Sequence, residues 1–201
     1  MNGVLGMAAL LERSDLSQRQ LQLLNVLKRS GQHMVELIDG LLTVATLEAD
    51  GLSIEPEPMC LSGMAEHCVG MMRPRAEERG LDLVLNVLFT GGSYVRADET
   101  RLTQIVVNLL NNAVKFTEDG QVTLHIETTA KASGIGVVIR VEDTGVGIPE
   151  DELDAIFEKF SQIDGQQARA DRQDGVGLGL SIARALSEMM NGTLDVQSTL
   201  G

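Results

Sequence analysis

The chain is poor in aromatic residues and in positive charge. Its 201 residues include no Trp, one Tyr and four Phe, so the aromatic surfaces on which single-stranded nucleic acids stack are missing. Lys and Arg number 16 against 29 Asp and Glu, which gives a net charge of −13. Such a surface repels nucleic acids and anionic membranes. We therefore expect no nucleic-acid partner and no membrane contact by this segment.

Cysteine and histidine are also scarce. Cys60 and Cys68 lie in one predicted helix and its lead-in, where their side chains cannot easily meet, so no disulfide framework is expected. His33, His67 and His125 lack the short spacings of zinc sites. The apolar residues at 1–11 are too few to cross a bilayer and follow no basic segment. We expect a cytoplasmic segment without zinc, whose full-length parent can still be anchored to a membrane.

The first 50 residues have the apolar spacing of two helices. A short helix is predicted at 4–12, a turn at 14–17 and a long helix at 16–48. Apolar or small residues seven apart form a seam along the long helix: Leu27, Met34, Leu41, Gly31, Ile38 and Ala45. One hairpin cannot bury this seam alone, so the pattern favours a four-helix bundle with a second copy. Packing of the hairpin on the rest of its own chain is the alternative.

Asp50-Gly51, Pro56 and Pro58 predict a linker at 51–60, followed by a second domain at 61–201. Helices are expected at 62–79, 98–116, 149–158 and 178–190. Strands are expected at 81–87, around Val95, and at 122–128, 137–141 and 193–197. This order predicts an α+β sandwich, with helices on one face of a mostly antiparallel sheet.

An unusual polar stripe interrupts the apolar helix at 101–116. Asn108, Asn112 and Lys115 follow i, i+4, i+7 spacing and so project from one side. Amide oxygens are ligands suited to Mg²⁺ that also contacts phosphates, and a lysine one turn away balances phosphate charge. The stripe fits a metal-nucleotide. A merely solvated helix face, the alternative, normally carries Glu and Lys pairs instead.

Two glycine-rich segments follow predicted secondary structure. Asp143 ends a strand and precedes Gly145 and Gly147, so the backbone can approach a ligand while the carboxylate accepts a hydrogen bond from an amine such as that of adenine. A tight turn with a solvating aspartate is the alternative. Gly175, Gly177 and Gly179 open a helix after a long polar stretch at 161–174, which suits phosphate binding beneath a lid. Their spacing is neither that of a dinucleotide fold nor that of a P-loop.

These segments together resemble the catalytic core of sensor histidine kinases, within the ATPase superfamily that includes gyrase and certain chaperones. NLLNNAVKF at 108–116 resembles the asparagine box, DTGVGIP at 143–149 and GVGLGLSIA at 175–183 the two glycine boxes, and FEKF at 157–160 the phenylalanine box. MNGVLGM and SGQHMVELIDGLL resemble the dimerisation and histidine-transfer helices. The resemblance implies half of a dimeric four-helix bundle at 1–50, then an α/β sandwich of the Bergerat (GHKL) ATPase type.

The resemblance also implies roles in binding ATP and Mg²⁺. Asn112 would ligate Mg²⁺, with Asn108 beside the metal and the reacting phosphate and Lys115 on a phosphate. Asp143 would bind the adenine amine directly or through water. The remaining implied cofactor-binding positions are Phe116, Gly145, Gly147, Ile148, Phe160, Gly175, Gly177, Gly179 and Leu180. Phe157 would help Phe160 to pin the lid, and Arg169 or Arg172 would either contact phosphate from the lid or be solvated.

Departures from the family pattern shape the expected activity. In the family, the phosphoacceptor histidine lies about two helical turns before the segment to which Met1-Asn2-Gly3 corresponds. His33 lies in the second helix and is interpreted as structural. We therefore expect that this chain does not phosphorylate itself. Asp174-Gly175-Val176 replaces a common Gly-Gly-Thr, and the chain ends at Gly201 before the closing strand of the family. We expect an excised piece of a larger protein.

The resemblance implies a protein-histidine kinase that transfers phosphate from ATP to a histidine, forms a homodimer through its first helices and acts with a response-regulator receiver domain. A nucleotide-sensing module that regulates another kinase is the first alternative. An ATPase or serine kinase of the same superfamily is the second.

Overall fold

The computed structural model describes residues 2–12, 14–48, 51–132, 134–161 and 177–200, without the side chains of eight of them: Asn2, Val4, Leu5, Gln32, His33, Glu36, Asp39 and Glu48. Helix α1 spans Asn2–Leu11 and helix α2 spans Gln18–Glu48, at the positions that the sequence pattern predicts. None of the described helices is long and apolar enough to cross a membrane.

The hairpin of α1 and α2 has a small interior of its own. Ser17 begins α2 with a capping box, because its backbone N–H donates to Gln20 Oε1 at 2.9 Å while Gln20 N–H donates back to Ser17 Oγ at 3.4 Å. Ala8 and Leu24 are buried, and Lys28 Nζ lies 2.7 Å from Glu12 Oε2. The capped turn, the buried side chains of Ala8 and Leu24 and the ion pair between Lys28 and Glu12 therefore hold the two helices together.

The remainder of the chain alternates strands and helices. Strand β1 is Glu57–Cys60, α3 is Leu61–Glu78, β2 is Asp82–Phe89, β3 is Tyr94–Ala97 and α4 is Glu99–Phe116. Then come β4 at Gln121–Lys131, β5 at Gly134–Asp143, single 3-10 turns at Glu150–Glu152 and Ala155–Phe157, and α5 at Gly179–Met189. The mixture of helix and sheet confirms the predicted fold class.

The strands form two sheets that share one core. β2, β4 and β5 form a three-stranded sheet with β4 in the centre, and β1 pairs with β3. Val122, Leu124 and Ile126 of β4 are fully buried beneath α3 and α4. Helix α4 is positioned by its ends: Asp98 Oδ1 accepts from Arg101 N–H at 3.0 Å, and Thr117 Oγ1 donates to Ala113 O at 2.7 Å. The core therefore holds α4, which carries the polar stripe.

A second apolar cluster joins α5 to α4 and to the hairpin. Its buried members are Ile105, Leu178, Ile182, Ala183 and Leu186, and Val44 and Leu47 of α2 pack against it. The last two turns of α2 thus contact the second half of the chain. The predicted alternative, in which the hairpin packs on its own chain, holds for this face of α2.

The apolar seam predicted along α2 lies on another face of the helix, and its large side chains are exposed. Leu27, Met34, Ile38 and Leu41 are 45–50% exposed, whereas Gly31 is buried. With 100° per residue, the seam lies roughly 130° around the helix axis from the face that packs on α5. A long apolar surface is therefore presented to solvent by the single chain.

Three predictions about secondary structure were wrong in detail, at residues 57–60, 149–158 and 193–197. Residues 57–60 form β1 rather than part of a linker, although the division into two domains itself stays a prediction. The prediction of mostly antiparallel pairing is confirmed, since β1–β3 and β4–β5 are antiparallel and β2–β4 is parallel. The helix expected at 149–158 is two 3-10 turns. A helix this short is marginal by itself, and the packing of the buried Ile156 fixes the local conformation instead. Residues 193–197 form no strand, because they have no ladder partner among the described residues.

Candidate functional site

The polar stripe of α4 meets the start of α5. Asn108 is half-buried, and its Nδ2 donates to the carbonyl oxygen of Gly179 at 3.2 Å, across a sequence separation of 71 residues. A Cβ on Gly179 would lie 3.8 Å from Asn108 Cγ, so the backbone of α5 passes directly over the amide. Because Nδ2 is used in this bond, Oδ1 is the atom of this amide suited to a cation or a donor. Two predicted site segments are therefore in contact.

The other members of the stripe continue along the same helix. Asn112 and Lys115 are both half-buried, one and nearly two turns beyond Asn108. Lys115 Nζ lies 4.7 Å from the centre of the Phe116 ring, which is 40% exposed. An ammonium over an aromatic face is attracted by the ring's quadrupole. The C-terminal turn of α4 thus presents a cation and an accessible ring.

The first glycine segment packs against that same turn. Gly145 N–H donates to Asp143 Oδ1 at 2.9 Å. A Cβ on Gly145 would lie 2.7 Å from Asp143 Oδ1 and 2.7 Å from the carbonyl oxygen of Phe116, so any side chain here would collide with backbone. Glycine at this position therefore lets the end of β5 close on the end of α4. The exposed carboxylate of Asp143 is held beside Phe116.

The second glycine of this segment adjoins the C-terminal residues. Gly147 has a φ of 72° and touches the backbone carbonyl of Thr199 closely enough to exclude a Cβ. Ile148 N–H donates to Ser198 Oγ at 2.8 Å.

Sequence analysis missed Ser198, since no local pattern distinguishes it from other serines. It also missed Thr144, whose Oγ1 accepts from Gln121 N–H at 3.1 Å and so fixes the turn after β5. Its place between Asp143 and Gly145 was an available signal.

The two ends of the predicted lid meet at the base of α5. Phe160 N–H donates to the carbonyl oxygen of Gly177 at 3.0 Å, and both residues have positive φ, 65° and 72°. Phe157 packs beneath the guanidinium of Arg184, whose Cζ lies 4.9 Å from the centre of the Phe157 ring. Arg184 is a further position that the sequence did not indicate. Gly175, Arg169 and Arg172 lie outside the described residues.

The arrangement suits an anion held with a cation. Helix α5 begins at Gly179 with no described side chain capping it, so its first N–H groups are oriented for an anionic ligand. Leu180 lies in that first turn. The described residues contain no cluster of three His, Cys, Asp or Glu side chains that would hold a metal ion. A cation here would rely on neutral amide oxygens and on its ligand's own charges, which fits Mg²⁺ bound to phosphates rather than a protein-chelated metal.

Two family models match the chain. The model of the histidine kinase-, DNA gyrase B- and HSP90-like ATPase family matches residues 97–201, and that of the His Kinase A (phospho-acceptor) domain matches residues 1–50.

The chain is similar to several curated sensor kinases over almost its entire length. It is 37% identical over 201 residues to the autoinducer 2 sensor kinase/phosphatase LuxQ of Vibrio cholerae serotype O1, covering 100% of this chain and 23% of LuxQ. It is 33% identical over 199 residues to the signal transduction histidine-protein kinase BarA of Escherichia coli K12, covering 98% of this chain and 22% of BarA. The chain thus spans less than a quarter of either relative.

Solved structures show the same architecture. Full-length ShkA in complex with AMPPNP superposes with a TM-score of 0.71 at 36% identity, covering 98% of this chain and 41% of ShkA. The Acinetobacter baumannii histidine kinase AdeS superposes with a TM-score of 0.65 at 19% identity, covering 95% of this chain and 85% of that chain. At this lower identity the likeness to AdeS shows the fold alone.

Proposed function

This chain belongs to the histidine kinase-, DNA gyrase B- and HSP90-like ATPase family, and we propose that it is the catalytic core of a sensor histidine kinase. It would bind ATP and transfer the γ-phosphate to a histidine on a dimerisation helix. The match of residues 1–50 to the phospho-acceptor domain supports this reading over that of a stand-alone ATPase or serine kinase.

One observation carries the proposal: the hydrogen bond from Asn108 to the carbonyl oxygen of Gly179. It joins the polar stripe of α4 to the uncapped N-terminus of α5, so amide oxygens and backbone N–H groups face a common space. Neither element alone would hold a triphosphate, since a phosphate chain needs both charge neutralisation and hydrogen-bond donors. Their contact would bring Lys115 and the amides of α4 to the same phosphate chain as the N–H groups of α5.

The roles follow from the chemistry of each group. Asn112 would hold Mg²⁺, with Asn108 beside it, and the ion would supply positive charge to the phosphates. Lys115 would contact a phosphate oxygen, while Gly177, Gly179 and Leu180 would offer backbone N–H groups. Asp143 would accept a hydrogen bond from the adenine amine, in a pocket formed by Gly145, Gly147, Ile148 and Phe116. Phe160 would anchor the lid that includes Gly175.

The transfer itself needs no nucleophile from the ATP-binding unit. A ring nitrogen of the acceptor histidine would attack the γ-phosphorus as the bond from that phosphorus to the β-γ bridging oxygen breaks, and ADP would leave with that oxygen. The contribution of this chain would be to position the phosphate and to offset its charge. The acceptor would be a histidine presented by a helical bundle.

The exposed seam of α2 supports a homodimer as the bundle. Leu27, Met34, Ile38 and Leu41 form an apolar stripe that one hairpin leaves in solvent, and a second copy would cover it by forming four helices. A receiver domain bearing an aspartate would then accept the phosphate from the histidine.

Calorimetric titration with Mg-ATP tests the binding site. Asp143→Asn should weaken affinity by about tenfold or more, because a hydrogen bond to a charged acceptor contributes about 1.5–3 kcal/mol. Glu142→Gln is the matched control, since its carboxylate faces His125 at 3.4 Å on the opposite side of the sheet. Equal effects of the two substitutions would argue against the adenine role of Asp143.

Transfer is tested by mixing the chain, radiolabelled Mg-ATP and a separate histidine-bearing helical bundle. Label should appear on the bundle and disappear when its histidine is replaced by glutamine. ATP binding without any labelling would instead support the nucleotide-sensing alternative.

A further inference from the structure

Helix α2 of the hairpin comes close to Leu178, just before α5, at Gly40. A Cβ placed on Gly40 would lie 3.0 Å from Leu178 Cδ1 and 3.6 Å from Leu178 Cβ. Leu178 is 3% exposed and belongs to the apolar cluster of α5, so its side chain has little room to move away. The absence of a side chain at Gly40 therefore lets α2 rest directly on Leu178.

The packing beside this contact is looser. An open pocket of about 150 Å³ lies beside this contact, lined by Val44, Leu47, Lys159, Ser181, Ile182 and Ala185. Gly40, Val44 and Leu47 lie on one face of α2 at i, i+4, i+7 spacing. Because Val44 and Leu47 of this face already pack on the α5 cluster, a side chain at position 40 would meet Leu178 unless α2 or Leu178 moved.

Leu178 lies between two residues of the candidate site. On one side Gly177 accepts the hydrogen bond from Phe160 N–H. On the other side Gly179 accepts the hydrogen bond from Asn108 Nδ2. A displacement of Leu178 would move both carbonyl groups, since only the peptide unit between Leu178 and Gly179 separates the units to which they belong, and each residue has two soft torsions. The position of α2 is therefore connected through one side chain to the amide of Asn108.

We infer that Gly40 is a positioning residue: by admitting Leu178 it sets the start of α5, and thereby the orientation of the Asn108 amide that would face the nucleotide. The expected consequence is that the position of α2 changes the affinity for the nucleotide, and this consequence rests on the proposed function. The geometric part stands on the described contacts alone.

The test compares Gly40→Leu with Gly6→Leu in the whole chain. Gly6 is an exposed residue of α1 with no described atom within 4 Å of its Cβ position, so the same substitution there should be tolerated. Two quantities are measured in each variant: the NMR shifts of the Asn108 side-chain amide, and the affinity for Mg-ATP. Gly40→Leu should move the amide resonances and weaken affinity by roughly three- to tenfold, whereas Gly6→Leu should change neither.

Rescue separates positioning from general damage. Adding Leu178→Ala to Gly40→Leu makes room for the new side chain, so the double variant should recover most of the lost affinity, as a coupled pair in a double-mutant cycle. Amide resonances that move without a change in affinity, or an affinity loss that Leu178→Ala does not relieve, would overturn the inference. If the unsubstituted chain binds no Mg-ATP, the proposed function fails, and the amide resonances still decide whether Gly40 positions Asn108.

Discussion

The helical hairpin, residues 2–48, and the part of the chain that follows it, residues 51–200 and here called the ATP-binding unit, differ in how they bury apolar side chains. The ATP-binding unit has a large core made by its own elements, in which Leu61, Leu110 and Leu124 are fully buried. The hairpin buries Ala8 and Leu24 but leaves Leu27, Met34, Ile38 and Leu41 exposed along the seam of α2. Burial of apolar area is the main favourable contribution to folding and to association. The comparison teaches that one unit is stabilised from within and the other requires a partner surface.

The interior of the ATP-binding unit should be the most sensitive to truncation. Leu110→Ala removes a fully buried side chain between α4 and the sheet, and should lower the free energy of unfolding by about 2–5 kcal/mol. Leu10→Ala, at a residue of α1 that is 62% exposed, should change it by less than about 0.5 kcal/mol. Urea unfolding followed by circular dichroism measures both. Equal costs would break the comparison.

The seam should matter for association rather than for the single chain. Met34→Glu places a carboxylate in the apolar surface that a second copy would cover, where an unpaired charge is strongly disfavoured. We expect the dimer dissociation constant to rise by about 100-fold, which corresponds to roughly 2.7 kcal/mol. Gln22→Glu, exposed on another face of α2, carries the same charge change as a control. Sedimentation equilibrium measures both, and a chain that stays monomeric before substitution would contradict the dimer.

The smallest expected effect concerns the two cysteines, whose contributions to the free energy of unfolding should depend on pH in opposite directions. Burial raises the pKa of the Cys68 thiol to about 11 from an ordinary 9.0. The unfolded chain loses this proton first, so the stabilising contribution of Cys68 should be complete below pH 9 and fall as pH rises toward 11. The difference in urea midpoint between the parent chain and Cys68→Ala should therefore shrink over that interval.

Cys60 should show the opposite sign. Its hydrogen bond with the Ser62 hydroxyl, together with N–H groups at the start of α3, lowers the pKa of this half-buried thiol. Its folded form loses the proton first, so the difference between the parent chain and Cys60→Ala should grow as pH rises toward the unfolded value of 9.0. Parallel changes for the two cysteines would show that the interior around Cys68 is not shielded from water.

Local patterns were sufficient to predict much of this molecule. The extents of α1 to α5 follow from apolar spacing and from caps such as Asp98, and the stripe of Asn108, Asn112 and Lys115 follows from helical periodicity alone. Both depend on neighbours within a few residues along the chain. The roles predicted for these side chains in binding a nucleotide remain predictions.

Where a segment's conformation depends on distant partners, the patterns failed. Residues 149–158 have helix-like spacing, yet they form two 3-10 turns against α5. Residues 57–60 look like a proline-containing linker, yet they pair with Tyr94–Ala97. Residues 193–197 have strand-like composition, while the neighbouring Ser198 and Thr199 are placed against Ile148 and Gly147. Strand pairing is a property of two segments, and one segment's composition does not specify the other.

By itself the sequence determined where α1 to α5 lie and which polar groups share a helix face, because these are consequences of chain geometry over a few residues. The tertiary structure alone decided that Asn108 meets Gly179 and that Gly40 admits Leu178. These contacts join residues far apart in the chain, and only the packing of α2, α4 and α5 around a shared apolar cluster brings them together.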